Sequence, residues 1–457
     1  MISNQTAVSL QPDCASPLRP SRFNMWTRDA HGSLLIFNSF SSALLQFEGE
    51  TSLYIEDLLK GLDAGSGELE EYLASQSILV PRDCDEMEAA RVLHESPFED
   101  EGSLGLMLLS HENCNFRCKY CYEDFKRGHM QPEVVTGILA LIRNRAPKLR
   151  SLSIGWFGGE PLLGFDVVEE ISEKARQICA SNGIRFSSNM TTNGSLLGPE
   201  RAARCVAAGV SRYQITLDGP ADTHDRMRPL AGGGPSFDTI IANLRNLREN
   251  VHGFHVALRV NFSPVNLPRM PEFISFLGEE FGGDSRFSIR FRPVGRWGGA
   301  NDGLIQICDK SSGIDTELDL MRLASQAGFG LQSWTEGMSV FGSLCYAASP
   351  RHFIIGSDGT IYKCSVAFND PRNHVGHLDA SGYLNLKQDL VRLWTRSGEE
   401  TDLGCQECSF RPACQGNLCP LERIRGQKKR CPTLKTHFAQ IAPLVADDAR
   451  RSINNIV

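Results

Sequence analysis

No apolar stretch in this 457-residue chain approaches the roughly eighteen residues that a membrane-spanning helix needs. A secretory pattern is missing too. The opening MISNQTAVSLQPDC has no basic stretch leading into an apolar core, so a cytoplasmic protein is expected. Charge of one sign is nowhere massed, and a formal net charge of −7 leaves no footprint for nucleic acid or an anionic membrane. Neither a fixed-period repeat nor a low-complexity tract is present.

What the chain does have is cysteine, fifteen of them. A reducing cytosol would not keep these as disulfides, so metal or cluster ligation is the leading reading. Their distribution agrees: three crowd between Cys114 and Cys121, and five lie between Cys405 and Cys431. Hydrophobic content of 41% and charged content of 22% are ordinary for a globular protein. The length predicts two or three domains.

Residues 1–22 are polar and are expected to be a flexible N-terminus. From 23 to 82, FNMWTRD, a turn at HG, SLLIFNS and two helical stretches predict a small α+β, winged-helix-like module. The acidic stretch 83–103 is expected to be a linker. Between 104 and 335 strands and helices alternate: LGLMLLS, LSIGWFG, IRFSSNMTTN, YQITLDG, HVALRVNFS and FSIRFRPVG are the strands. Six βα-type units in succession predict an α/β fold with a parallel sheet curled into a full or partial (β/α)6 TIM-like barrel. Chemistry in such barrels sits at the C-terminal ends of the strands, where the first cysteine group falls. A cysteine-rich domain is expected over 336–440 and a tail over 441–457.

Cys114, Cys118 and Cys121 form a C-x3-C-x2-C spacing within HENCNFRCKYCYE. Three thiolates on one short loop can hold three corners of a cubane and leave the fourth iron open to chelate a ligand. A zinc loop would need a fourth donor nearby, and His111 is the local candidate. With this motif the chain resembles the radical S-adenosylmethionine (SAM) superfamily. The resemblance implies that Tyr120, before the third cysteine, contacts adenine. It also implies that the Gly158-Gly159-Glu160-Pro161 loop after the second strand binds the methionyl amine. Glycines there allow close backbone approach to a ligand. Asn193, at the end of the third strand, looks like a cofactor-side polar contact. Thr216 before the Asp-Gly of ITLDGP, and Arg228 twelve residues on, match positions that contact SAM and its carboxylate in related maturases. A guanidinium suits a carboxylate because its donors form a planar fork, although a surface ion pair is the plain alternative. Val260 and Asn261 are expected to border the adenine.

The C-terminal third carries Cys345, Gly359 and Cys364 as C-x13-G-x4-C, then Cys405, Cys408, Cys414, Cys419 and Cys431. This is similar to the SPASM extension of radical SAM peptide maturases, which binds two auxiliary 4Fe–4S clusters. The chain departs from that pattern by one extra residue in Gln415–Leu418. The resemblance assigns Cys345, Cys364 and Cys419 to one auxiliary cluster, with His352, water or a substrate thiolate as fourth ligand. It assigns Cys405, Cys408, Cys414 and Cys431 to the other. A pair of zinc knuckles is the alternative. Cys179 and Cys205 lie in apolar helical patterns and are expected in the core.

The resemblance implies three 4Fe–4S clusters, SAM cleaved to a 5′-deoxyadenosyl radical, and a flavodoxin or ferredoxin-type electron donor. The expected function is oxidative maturation of a ribosomally made precursor peptide by a thioether or carbon–carbon crosslink. The 23–82 module would capture the leader peptide by strand addition, or serve as a structural cap. Two alternatives stand beside this. One is a sulfatase-type formylglycine maturase, in which an Asp follows the cysteine matching Cys364; here Ser365, a poor base, takes that place. The other is a non-catalytic iron–sulfur electron-transfer or redox-sensing protein.

Overall fold

The computed structural model describes residues 16–62, 64–396, 398, 402–427 and 429–454. They divide into two compact units. One comprises 101–330 and 351–392; the other comprises the chain up to 100, together with 331–350 and the part from 393 onward.

The first unit is the barrel. Its strands Ser103–His111, Ser151–Gly158, Arg185–Thr192, Val210–Thr216, His255–Phe262 and Phe287–Pro293 lie side by side in chain order, all parallel. Helices alternate with them, including Pro132–Arg145, Phe165–Ser181 and Met270–Phe281. Every second strand residue is apolar and sealed: Leu106, Leu108, Ile154, Trp156, Val256, Leu258, Ile289 and Phe291 are all buried. Each such side chain contributes about 1.5–3 kcal/mol on leaving water. Phe287 shows what this face packs against, since its ring stacks on Phe281 of the helix Met270–Phe281 with centroids 4.7 Å apart. The alternate positions carry small or polar residues (Gly105, Ser153, Asn189, Gln214, Arg259) together with a few apolar ones such as Met107 and Phe157. The period of two along a strand therefore separates a helix-facing side from a polar inner side.

The sheet does not stop at its first strand. His352–Ile355 pairs parallel to Ser103–His111, with His352 opposite Gly105, and Thr360–Tyr362, His374–Leu378 and Leu384–Leu386 follow antiparallel. Residues 351–392 thus belong to the barrel unit, whereas the expected boundary had placed them in a separate 336–440 domain. An open strand edge leaves backbone donors and acceptors unpaired, and this extension satisfies them. Gly105 makes room: a Cβ there would lie 2.6 Å from the His352 ring.

The second unit joins the N-terminal module to the C-terminal cysteines. Asn24–Arg28, Leu34–Asn38 and Leu44–Phe47 form an antiparallel sheet, and the middle strand is buried along its whole length. Phe37 packs against Phe410 and Phe438 with centroids 6.1 and 6.2 Å away, which explains a strand without a polar face. Three terminal expectations need correction. Within 1–22, residues 1–15 lie outside the described residues, and Leu18–Pro20 is an ordered strand on Leu79–Pro81. The 83–103 stretch is not a linker but contains the helix Glu86–Glu99. Its acidic start suits a helix N-terminus: Asp85 accepts from the Met87 and Glu88 N–H groups at 3.1 and 2.9 Å. In place of a tail, Phe438–Asn454 is a helix that buries Ile441, Ala442, Val445 and Ala446 on one stripe.

Candidate active site

The cysteine loop leaves the C-terminal end of the first barrel strand and is closed at its base. Glu112 N–H donates to the Gly128 carbonyl at 3.0 Å. Arg127 bridges Glu112 at 2.9 Å, Asp358 at 2.8 Å and the Tyr362 hydroxyl at 2.9 Å. The loop's middle lies against residues 227–231: Arg117 and Lys119 N–H donate to the carbonyls of Pro229 and Met227, and Ala231 N–H donates to Asn115. This pairing brings Arg228 to the cysteines.

The GG pair is required by contact with this loop. Gly158 has φ +115°, and a Cβ on Gly159 would sit 2.3 Å from the Asn113 carbonyl oxygen. Gly159 and Glu160 N–H donate to His111 and Asn113 carbonyls at 3.2 and 3.0 Å. The Glu160 side chain is 0% exposed and braces strand ends. Its oxygens accept from Leu162 N–H at 3.0 Å, Thr192 hydroxyl at 2.7 Å and Asn193 N–H at 2.8 Å. Burial raises its pKa, against the lowering pull of those donors. Asn193 in turn donates to Asn115 at 2.7 Å and stands 3.9 Å from the Cys114 sulfur.

On the other side of the loop, the Tyr120 hydroxyl donates to Asp218 and accepts from Arg228 at 2.8 Å and Asn261 at 3.0 Å. Asp218 is fully buried and also accepts from Asn261 N–H at 3.0 Å. Burial pushes its carboxyl up, while Arg228 and the Tyr120 hydroxyl pull it down. Arg228 is 7% exposed, so the surface ion pair is excluded. Its Nε is buried without a hydrogen-bond partner. Leaving a buried guanidinium N–H unsatisfied is costly, so this donor calls for a ligand. Thr216 is buried at the end of the fourth strand, with Arg259 as its partner on the fifth. Asp218, Asn115 and Asn261 complete the cluster. Asp218 was legible inside TLDG and Asn261 was expected near the cofactor, but Asn115 had no signal beyond its place in the loop.

Burial raises the Cys114 and Cys121 thiols to about 12, and raises Cys118 as well. As free groups they would stay protonated; ligation is what makes them thiolates. Among the described residues no group of three or more His, Cys, Asp or Glu is gathered to hold a single metal ion. Three soft sulfur donors without oxygen ligands fit an iron–sulfur cluster, which spreads its ligands over several irons.

The second array is divided. Cys364 lies in the barrel unit, its N–H and carbonyl held by the Asn373 amide at 2.9 and 2.8 Å. Cys345, Cys405, Cys408, Cys414, Cys419 and Cys431 lie in the other unit. There Cys345 N–H donates to Asn417 at 3.0 Å, which sets it beside the Gln415–Leu418 loop. Cys405 receives Arg423 at 3.2 Å and Lys429 at 3.3 Å, and Cys408 receives Phe410 N–H at 3.3 Å. The extra loop residue is absorbed by left-handed backbone at Gln415 and Gly416. His352 is part of the barrel sheet beside Gly105, and burial lowers its pKa to about 3. Cys179 and Cys205 are buried core residues, as expected.

Residues 108–277 match the Radical SAM superfamily model. The chain carries a radical SAM domain. Similarity to curated proteins extends beyond that stretch. The AdoMet-dependent heme synthase of Nitratidesulfovibrio vulgaris is 25% identical over 69% of this chain and 88% of its own. The mycofactocin maturase of Mycolicibacterium smegmatis is 26% identical over 68% of this chain and 77% of its own. The solved structure of native anSMEcpe with bound AdoMet and Cp18Cys peptide shares the fold, with TM-score 0.59 and 16% identity, over 78% of this chain and 100% of that one. Radical SAM domains use SAM and a 4Fe–4S cluster. No helix among the described residues is long and apolar enough to cross a membrane.

Proposed function

We propose that this is a cytoplasmic radical SAM peptide maturase that oxidatively crosslinks a ribosomally made peptide through a thioether or carbon–carbon bond. The observation that carries the radical SAM part is the pairing of the cysteine loop with the buried Arg228, whose Nε lacks a partner beside the three thiols. In this reading Cys114, Cys118 and Cys121 hold the catalytic cluster. Arg228 forks the SAM carboxylate, and Tyr120, Gly158, Gly159, Glu160, Asn193 and Thr216 form the rest of the cofactor cradle. When bound, the reduced cluster and SAM supply a 5′-deoxyadenosyl radical that removes a hydrogen atom from carbon. The chain's own part is to orient SAM through Arg228 and to hold the substrate against the polar inner face. Closing the cysteine loop onto residues 227–231 keeps water away from the thiols.

The C-terminal cysteines support two auxiliary clusters, held by Cys345, Cys364 and Cys419 and by Cys405, Cys408, Cys414 and Cys431. Such clusters accept electrons in a net oxidation, and a flavodoxin or ferredoxin-type protein supplies the priming electron. The peptide substrate is supported by the mycofactocin maturase relative and by the peptide bound in the anSMEcpe structure of the same fold. A formylglycine outcome is disfavoured because Ser365 stands where a basic Asp is expected. A second reading, a tetrapyrrole substrate, is favoured by the heme synthase relative. Anaerobic reconstitution with SAM, dithionite and a candidate precursor peptide, followed by mass spectrometry, tests the choice. A lost hydrogen pair per crosslink is expected. A formylglycine mass, or turnover of a porphyrin with no change to peptide, would overturn the proposal.

A further inference from the structure

The polar inner face of the barrel carries an arginine row on its last two strands. Arg259 and Arg290 are direct register partners, and Arg292 pairs with Asn261 two residues along on the same face. The intervening Val260, Ile289 and Phe291 are buried on the opposite, helix-facing side. Neighbouring parallel strands are about 4.8 Å apart, so the two guanidinium stems start side by side. Like charges at directly opposed positions destabilise a sheet. Two adjacent arginines therefore need negative charge nearby.

Glu317 provides some of it, 2.7 Å from Arg292. Arg259 is served differently. Its Nε donates to the Asn261 side-chain oxygen at 2.9 Å, and the buried Asp218 carboxylate supplies negative charge from nearby. Asn261 then donates to Tyr120 at 3.0 Å. The row is thus tied by two hydrogen bonds to the tyrosine of the cysteine loop. It begins one side chain away from the proposed cofactor cradle, on the face where a substrate would lie.

We propose that Arg259, Arg290 and Arg292 form a carboxylate-binding subsite for the substrate, so that the segment presented to the radical carries an acidic side chain or a free C-terminal carboxylate. This rests on the radical SAM reading above. A planar guanidinium fork matches a carboxylate, and charge-assisted hydrogen bonds are the strong ones. The SAM carboxylate has its own arginine, Arg228, on the far side of Tyr120. The net charge of −7 makes general attraction of an acidic peptide by this protein implausible, so such binding would report a local site.

The test uses the full chain, reconstituted anaerobically, with two fluorescent probes of C-terminally amidated peptide, hexaglutamate and hexaglutamine. Hexaglutamate should bind about tenfold more tightly, the lower end of what one charged hydrogen bond contributes. Arg292→Gln and Arg290→Gln should each abolish that preference, and Arg292→Lys should restore part of it. In all three variants SAM should perturb the cluster spectrum as in the unmodified protein. Equal binding of the two probes, or a preference that survives both glutamine variants, would overturn the subsite. A spectrum insensitive to SAM in the unmodified protein would instead overturn the radical SAM reading, and the probe comparison would still stand as a separate result. If one variant fails to show a normal melting transition, the other carries the comparison.

Discussion

The two cysteine regions are built on opposite plans. Cys114, Cys118 and Cys121 lie on one loop, in one unit, against one partner segment at 227–231. Among the C-terminal cysteines, Cys364 belongs to the barrel unit, just past the strand Thr360–Tyr362, and the rest belong to a unit assembled from three pieces of chain. The surroundings differ as well. The first loop lies among amides and the buried carboxylates of Glu160 and Asp218, with the Arg228 guanidinium on Tyr120. In the second, Cys405 receives two cations directly, Arg423 and Lys429. Hydrogen bonds and positive charge at cluster sulfurs help set reduction potential. A local loop suits a site that must leave one iron open, and a cation-rich array suits a site that takes up electrons.

The sharpest way to break this comparison is to remove one cysteine from each region. Cys118→Ala is expected to abolish 5′-deoxyadenosine formation and to lower bound iron, whereas Cys408→Ala should lower iron yet leave cleavage detectable. Equal loss of cleavage in both would erase the distinction. Iron analysis and chromatography of the nucleoside check it.

Next in size is Arg228→Gln. Losing a charged fork inside a buried site costs about 1.5–3 kcal/mol, so SAM affinity should fall roughly ten- to a hundredfold, read by spectral titration. The matching change in the other region, Arg423→Gln, should leave SAM affinity alone. Gly159→Ala then probes the backbone contact, since its methyl would meet the Asn113 carbonyl at 2.3 Å. Overpacking of this kind costs about 1–3 kcal/mol, so a lower melting temperature is expected together with poorer cluster loading.

The smallest expected effect lies at the foot of the first loop, where His129 meets Asp166 at 2.9 Å. The hydrogen bond that His129 donates to Asp166 raises its pKa. A raised histidine contributes stability below its unfolded pKa, and that contribution disappears as pH rises through the folded value. His129→Ala should therefore lower the melting temperature at pH 5 and hardly at all at pH 9. The group is half-exposed, so solvent screening keeps the difference small. A shift independent of pH would remove the ion pair from the account.

Much of this was legible in order along the chain, because local signals were strong. Alternating apolar residues in LSIGWFG or HVALRVNFS predict strands, and the cysteine spacings and GGEP stand out without any partner. Where local signals misled, tertiary context decided. Acidic residues at 85–88 resemble a linker until Ala90 and Leu93 find an apolar surface. Leu34–Asn38, apolar as far as Phe37, has no strand period because Phe410 and Phe438, far along the chain, cover its second side.

The sequence alone determined the thiol spacing, the βα alternation and therefore the cofactor class, since each depends on residues within a few positions of one another. Only the tertiary structure decided that Glu160 is a brace, that Arg228 is buried beside Tyr120 rather than at the surface, and that Cys364 belongs to the barrel unit. Those facts arise from packing between segments distant in the chain, where burial and charge are set by neighbours that no local pattern names.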